Sequence, residues 1–125
     1  MIAADSSSLI NYLRGAELPD RDLVRNAIRQ QTLWLPPPVK TELMSDRNRR
    51  PGSAGLFDEA PLLPIAPGFW ERAGESRRLI ISKGLKAKLA DTLIAQCCID
   101  AGVPLIANDG DYRHFERWCG LKLAG

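Results

Sequence analysis

Apolar residues fall along this chain in short blocks, separated by stretches of helical spacing and by turn chemistry. Ile2, Ala3 and Ala4 form an apolar run closed by Asp5, and Ser6, Ser7 and Ser8 precede LINYLRG. Serine oxygens cap free N–H groups at helix starts, and glycine tolerates the turn that ends a helix, so strand, turn and a short helix stopping at Gly15 are predicted. After Pro19 and Asp20, the residues Leu23, Val24, Ala27 and Ile28 recur at helical spacing, which predicts a helix from about Asp20 to Gln31. Leu33-Trp34-Leu35 reads as a strand, ended by Pro36, Pro37 and Pro38 because proline donates nothing to a sheet ladder. Val39 to Asp46 has helical character, Arg47 to Gly55 is the most loop-like stretch, and Leu62 to Ile65 reads as a strand despite Pro64. Helices are predicted from Phe69 to about Ser82 and from about Leu89 to Ala101, the second stopped by Gly102. Leu105-Ile106-Ala107 makes a further strand, and a short helix and an apolar tail with Leu121 and Leu123 follow. Strands alternating with helices predict an α/β architecture with a mainly parallel sheet. No repeat or boundary interrupts residues 1–125, which read as one domain.

Composition agrees with a globular chain. The 125 residues are 45% apolar and 26% charged, which excludes a disordered, collagenous or coiled-coil protein. The cysteines Cys97, Cys98 and Cys119 are odd in number, and two are adjacent, so a reducing compartment fits better than a secreted disulfide scaffold. No signal-like segment and no long apolar run are visible, and a soluble cytoplasmic protein without a membrane partner is expected.

Acids at special places carry the candidate chemistry. Asp5 closes the first apolar run, and Asp109 follows Leu105-Ile106-Ala107 with Asn108 between. In an open parallel sheet the carboxyl ends of strands line one crevice, where ligands bind. Asp91 opens the most apolar helix and shares one face with Ile94, Ala95 and Cys98, so it must pack inward. Glu42 lies in VKTELM beside Leu43 and Met44. Carboxylates converging on one crevice repel one another, and a divalent cation removes that penalty. Oxygen ligands without cysteine or histidine favour Mg²⁺ or Mn²⁺ over zinc, and such a site activates water for phosphodiester cleavage. The net charge is only +2, but the signs are segregated: from Arg72 to Lys88 six basic residues stand against Glu75 alone, and Arg47, Arg49 and Arg50 form a second cluster. Such segregation suits phosphate-backbone contact, with Arg47, Arg49, Arg50, Lys83, Lys86 and Lys88 as the candidate residues.

Together these segments resemble the PIN-domain nucleases, especially the small VapC-type toxins of bacterial toxin–antitoxin pairs. Asp5-Ser6-Ser7-Ser8-Leu9-Ile10 resembles the family's opening acid and hydroxyl, and Val39-Lys40-Thr41-Glu42-Leu43 the segment carrying its glutamate. Asp91-Thr92-Leu93-Ile94-Ala95 is similar to its D-x-L-I-A helix start, and Ile106-Ala107-Asn108-Asp109-Gly110-Asp111-Tyr112 to its T-x-D-x-D-F segment. Ala107 stands where the family usually carries Thr, and Tyr112 where it carries Phe. The resemblance implies a three-layer α/β/α fold with a parallel, about five-stranded sheet. It implies a catalytic metal site of Asp5, Glu42, Asp91 and Asp109 supported by Ser6 and Asp111. It also implies Mg²⁺- or Mn²⁺-dependent endoribonuclease activity in which a metal-activated water cleaves RNA, with the two basic clusters as RNA-binding and with a cognate antitoxin and a second copy of the chain as partners.

Each acid has an ordinary reading when taken singly: Asp5 as a helix cap, Asp109 as a turn residue, Asp91 as a first-turn helix acid and Glu42 as a solvated side chain. Their joint pattern favours the metal site. His114 reads as a helix-surface residue, Cys97 and Cys98 as core, and Trp34, Trp70 and Trp118 as core or interface. The alternative is a catalytically dead PIN-like RNA-binding or adaptor protein. A receiver-like phosphoacceptor is disfavoured, because that chemistry wants paired acids after the first strand and a lysine soon after a late one.

Overall fold

The computed structural model describes residues 1–48 and 59–125. Three short parallel strands form its sheet: β1 (Ile2–Ala4), β2 (Leu33–Trp34) and β3 (Leu105–Ile106), in the order β2-β1-β3. Ile2 and Ala3 lie beside Leu33 and Trp34, and Ala3 and Ala4 beside Leu105 and Ile106. The first strand is thus the central one, flanked by segments met much later in the chain.

Among the described residues six helices surround the sheet: α1 (Ser6–Leu13), α2 (Arg21–Arg29), α3 (Pro37–Ser45), α4 (Phe69–Ser82), α5 (Leu89–Ala101) and α6 (Tyr112–Cys119). Helices α4, α5 and α6 pack on one another, and α1 packs on α2 and α3. The crossovers from β1 to β2 and from β2 to β3 run in opposite directions along the sheet, and right-handed connections then place their helices on opposite faces. Ala3 and Ala4 are fully buried, and their small side chains let both helix layers approach the central strand. The core continues through Leu9, Val24, Val39, Ile80, Ile94, Leu105, Ile106 and Phe115, all solvent-inaccessible. Each such aliphatic or aromatic side chain contributes about 1.5–3 kcal/mol relative to exposure.

The ranges expected for α4 and α5 are the ranges observed, and Gly102 closes α5 at φ +65°, a conformation that disfavours residues with a Cβ. Two expectations are corrected. The triple proline ends β2 but also opens α3, since the first turn of a helix makes no use of the missing N–H. The sheet has three strands among the described residues, not about five. The segment expected as a strand over Leu62–Ile65 is a single bridge of Leu62 to Leu35, and Leu123 bridges Leu105 on the other edge. The Leu35 N–H donates to Pro61 and the Leu63 N–H to Leu35, at 2.9 and 2.8 Å. The next rung of this parallel register needs the N–H of residue 37, which is proline and has none, so the ladder stops. The loop expected over Arg47–Gly55 lies mostly outside the described residues. No helix among the described residues is long and apolar enough to cross a membrane.

Candidate metal centre

The carboxyl ends of β1 and β3 open at one place, where the chain departs to opposite sides of the central strand. The Asp5 N–H still belongs to the sheet, donating to the Ile106 carbonyl at 2.9 Å. Asp5 then turns the chain into α1 with extended backbone, but its side chain makes no cap bond to that helix. Its carboxylate, 5% exposed, instead accepts from Ser7 Oγ at 2.6 Å and from the Tyr112 hydroxyl at 2.9 Å. Capping therefore does not explain this buried acid.

Asp91 sits in the first turn of α5, as the spacing predicts, with Ile94, Ala95 and Cys98 of the same face buried. Its Oδ1 accepts from the Tyr112 hydroxyl at 3.3 Å, while its Oδ2 is buried without a partner. Two influences oppose each other here. The Tyr112 hydrogen bond, then Lys88, favour a carboxylate, as a helix N-terminus does in general, whereas burial, then the charges of Asp5 and Asp109, disfavour it. The second group wins, and the Asp91 carboxyl is pushed up to about 6.

Asp109 follows β3 in an exposed turn, where its Oδ1 accepts the Asp111 N–H at 2.9 Å. Asp91, Asp109 and Asp111 each offer an oxygen, and the three atoms lie within 4.8 Å of one another. Asp5 is joined to this group by the shared Tyr112 hydroxyl. Glu42, half-buried on α3, stands outside that oxygen cluster and accepts at 2.9 Å from the hydroxyl of Ser6, the residue after Asp5. The carboxylates of Asp5, Asp91, Asp109 and Asp111 thus come from three separate segments, with the Tyr112 hydroxyl between Asp5 and Asp91. Oxygen donors of this kind suit a hard divalent cation.

The family model of the PIN domain matches residues 2–117. The chain belongs to the PIN domain family. No curated protein matches it closely in sequence. Its fold is similar to that of a chain in the crystal structure of VapBC2 from Rickettsia felis bound to a DNA fragment from their promoter. The TM-score is 0.75 at 18% identity, covering 99% of this chain and 98% of that one. A DNA-bound VapBC from Salmonella typhimurium gives 0.74 at 18% identity, with the same coverage. VapBC-5 from Mycobacterium tuberculosis gives 0.69 at 17% identity, covering 98% and 95%.

Several side chains of this PIN domain have places that sequence does not assign. Asp111, expected as a supporting residue, stands with Asp91 and Asp109 in the oxygen cluster. Tyr112 is fully buried, and its hydroxyl touches two carboxylates. The only hint in the sequence is a hydroxyl where the family carries an apolar ring. Burial and the charges of Asp5 and Asp91 raise the phenol's pKa, so it acts as a donor and not as a base. Of the basic candidates, Arg47, Lys86 and Lys88 are exposed, and Lys88 is the residue before α5, within electrostatic reach of Asp91. Lys83 lies over the Trp118 ring at 3.8 Å, and Arg49 and Arg50 are outside the described residues. Elsewhere in the basic stretch, Arg72 pairs with Asp100 at 2.6 Å and Arg77 donates to the Ala87 carbonyl at 2.9 Å. Cys97 and Cys98 are core residues, and burial pushes the Cys97 thiol up to about 12, which removes it as a nucleophile.

Proposed function

We propose that this PIN domain is a Mg²⁺- or Mn²⁺-dependent endoribonuclease, the toxin of a toxin–antitoxin pair acting in the cytoplasm. One observation carries the reading. Asp91 Oδ2 is buried without a partner in a nest that already holds the carboxylates of Asp5, Asp109 and Asp111. Leaving a buried carboxylate oxygen unpaired among like charges is costly, and a hard divalent cation is the partner such a donor set suits. Asp5, Asp91 and Asp109 would hold the ion, with Asp111 beside them and Glu42 completing the set. When bound, the ion stabilises charge on a phosphate and lowers the pKa of water.

The chain's own groups do the remaining work. Glu42, fixed by the Ser6 hydroxyl, orients water at the edge of the nest. Lys86, Lys88 and Arg47 contact the phosphate backbone, with Arg49 and Arg50 as further candidates, and RNA is the polyanion proposed. Three of the structures similar in fold are of VapBC toxin–antitoxin proteins, which supports an antitoxin partner; a second copy of the chain is the remaining partner proposed.

Incubation of the purified chain with RNA tests the reading. Cleavage is expected with Mn²⁺, is lost in EDTA, and falls at least about 100-fold in Asp5→Asn, the scale set by removing one electrostatic contributor from such a site. Cleavage by Asp5→Asn at the wild-type rate would sink it and leave a PIN-like RNA-binding protein.

A further inference from the structure

The Tyr112 hydroxyl has one proton and two carboxylate neighbours, Asp5 Oδ1 at 2.9 Å and Asp91 Oδ1 at 3.3 Å. Those neighbours belong to different elements, the end of β1 and the first turn of α5, while the tyrosine opens α6. Packing aims the hydroxyl: the residue is fully buried, and its ring lies 6.4 Å from that of Phe115, which is also fully buried. Satisfying a buried phenol takes only one acceptor. A phenylalanine would fill the same space and leave nothing to satisfy. The second carboxylate contact is therefore surplus to the needs of the tyrosine, and its beneficiaries are the two acids.

The remaining oxygens support this view. Asp5 Oδ2 is held by Ser7 Oγ at 2.6 Å, whereas Asp91 Oδ2 is the oxygen left without a partner. With one oxygen of each acid turned to the same hydroxyl, the rotation of both carboxylates is fixed. Without that hydroxyl, Asp5 and Asp91 would meet with like charge and no donor between them.

We propose that the Tyr112 hydroxyl is a positioning group of the centre, tying the Asp5 carboxylate to the Asp91 carboxylate so that both meet a divalent cation already oriented. This rests on the metal-centre reading above. It assigns Tyr112 no contact with substrate and no proton transfer.

Calorimetric titration of the metal-free chain with Mn²⁺ alone, alongside thermal unfolding in EDTA, tests it in the wild type and in Tyr112→Phe. The variant keeps the ring, so cooperative unfolding is expected to persist, while Mn²⁺ affinity falls about tenfold, the scale for losing an outer-shell partner of metal ligands. Wild-type Mn²⁺ affinity in Tyr112→Phe overturns the positioning role and leaves the metal centre standing. Loss of the cooperative transition overturns it as well, because the hydroxyl would then serve folding. Absence of Mn²⁺ binding in the wild type refutes the metal-centre reading itself, and this proposal falls with it.

Discussion

Replacing Asp91 with asparagine removes one charge from the nest while keeping the side chain's shape. Burial and the neighbouring acids raise its carboxyl from 3.8 to about 6, so the folded chain binds a proton there more tightly than the unfolded chain does. Stability from this group is therefore fully present below about pH 4, declines as the pH rises through the interval up to 6, and stays reduced above it. At about 1.36 kcal/mol per pKa unit the full shift corresponds to about 3 kcal/mol. The side chain is only half-buried, and screening by solvent brings the penalty to about 1–2 kcal/mol. Asp91→Asn carries no such penalty. Unfolding scans in EDTA at pH 4 and pH 7.5 isolate the effect as the difference between variant and wild type. That difference is expected near zero at the lower pH. At the higher pH the variant should melt about 4–8 °C above the wild type, on a scale of about 4 °C per kcal/mol for a chain of this size. Saturating Mn²⁺ should reverse the order, because only the intact site gains from binding. A variant less stable than the wild type at pH 7.5 in EDTA, or a difference independent of pH, would refute the claim that repulsion and burial dominate at Asp91.

Two further outcomes test the surroundings of the centre. Ser6→Ala removes the donor that holds Glu42 and should slow Mn²⁺-dependent RNA cleavage about tenfold, with unchanged rates counting against a role for this pair. Ile94→Ala empties a fully buried position one turn below Asp91 and should cost about 2–5 kcal/mol, read from urea unfolding midpoints; a loss below about 1 kcal/mol would show that the α5 face is not core.

Much of this architecture is legible in one dimension because the strands are short and each is closed by an unmistakable signal. Asp5 and Asp109 announce themselves as acids just past apolar runs, and Asp91 as an acid on an otherwise buried helical face. Those features depend only on neighbours within a turn or a strand. The corrections come where two distant stretches must match. Pro64 does not by itself forbid a strand; it takes Pro37 on the opposite segment to remove the next ladder donor and leave a single bridge. Lys83 resembles any exposed lysine until the end of α6 brings Trp118 beneath it. Asp111 reads as a second acid in a turn, and its place beside Asp91 depends on how α5 meets the end of β3. Tyr112 is the extreme case, because the value of its hydroxyl depends on the docking of three elements at once.

The bond between Tyr112 and Asp5 joins residues 107 positions apart, and that separation sets the timing of assembly during synthesis. A ribosome that has polymerised through α5 has already made Asp5, Glu42 and Asp91. It has yet to make β3, which completes one side of the central strand, and Asp109, Asp111 and Tyr112 beyond it. Elongation at about 5–20 residues per second leaves the early acids waiting several seconds for their late partners. Chains released before residue 109 lack part of the carboxylate nest, so abortive translation products carry the acids without the centre.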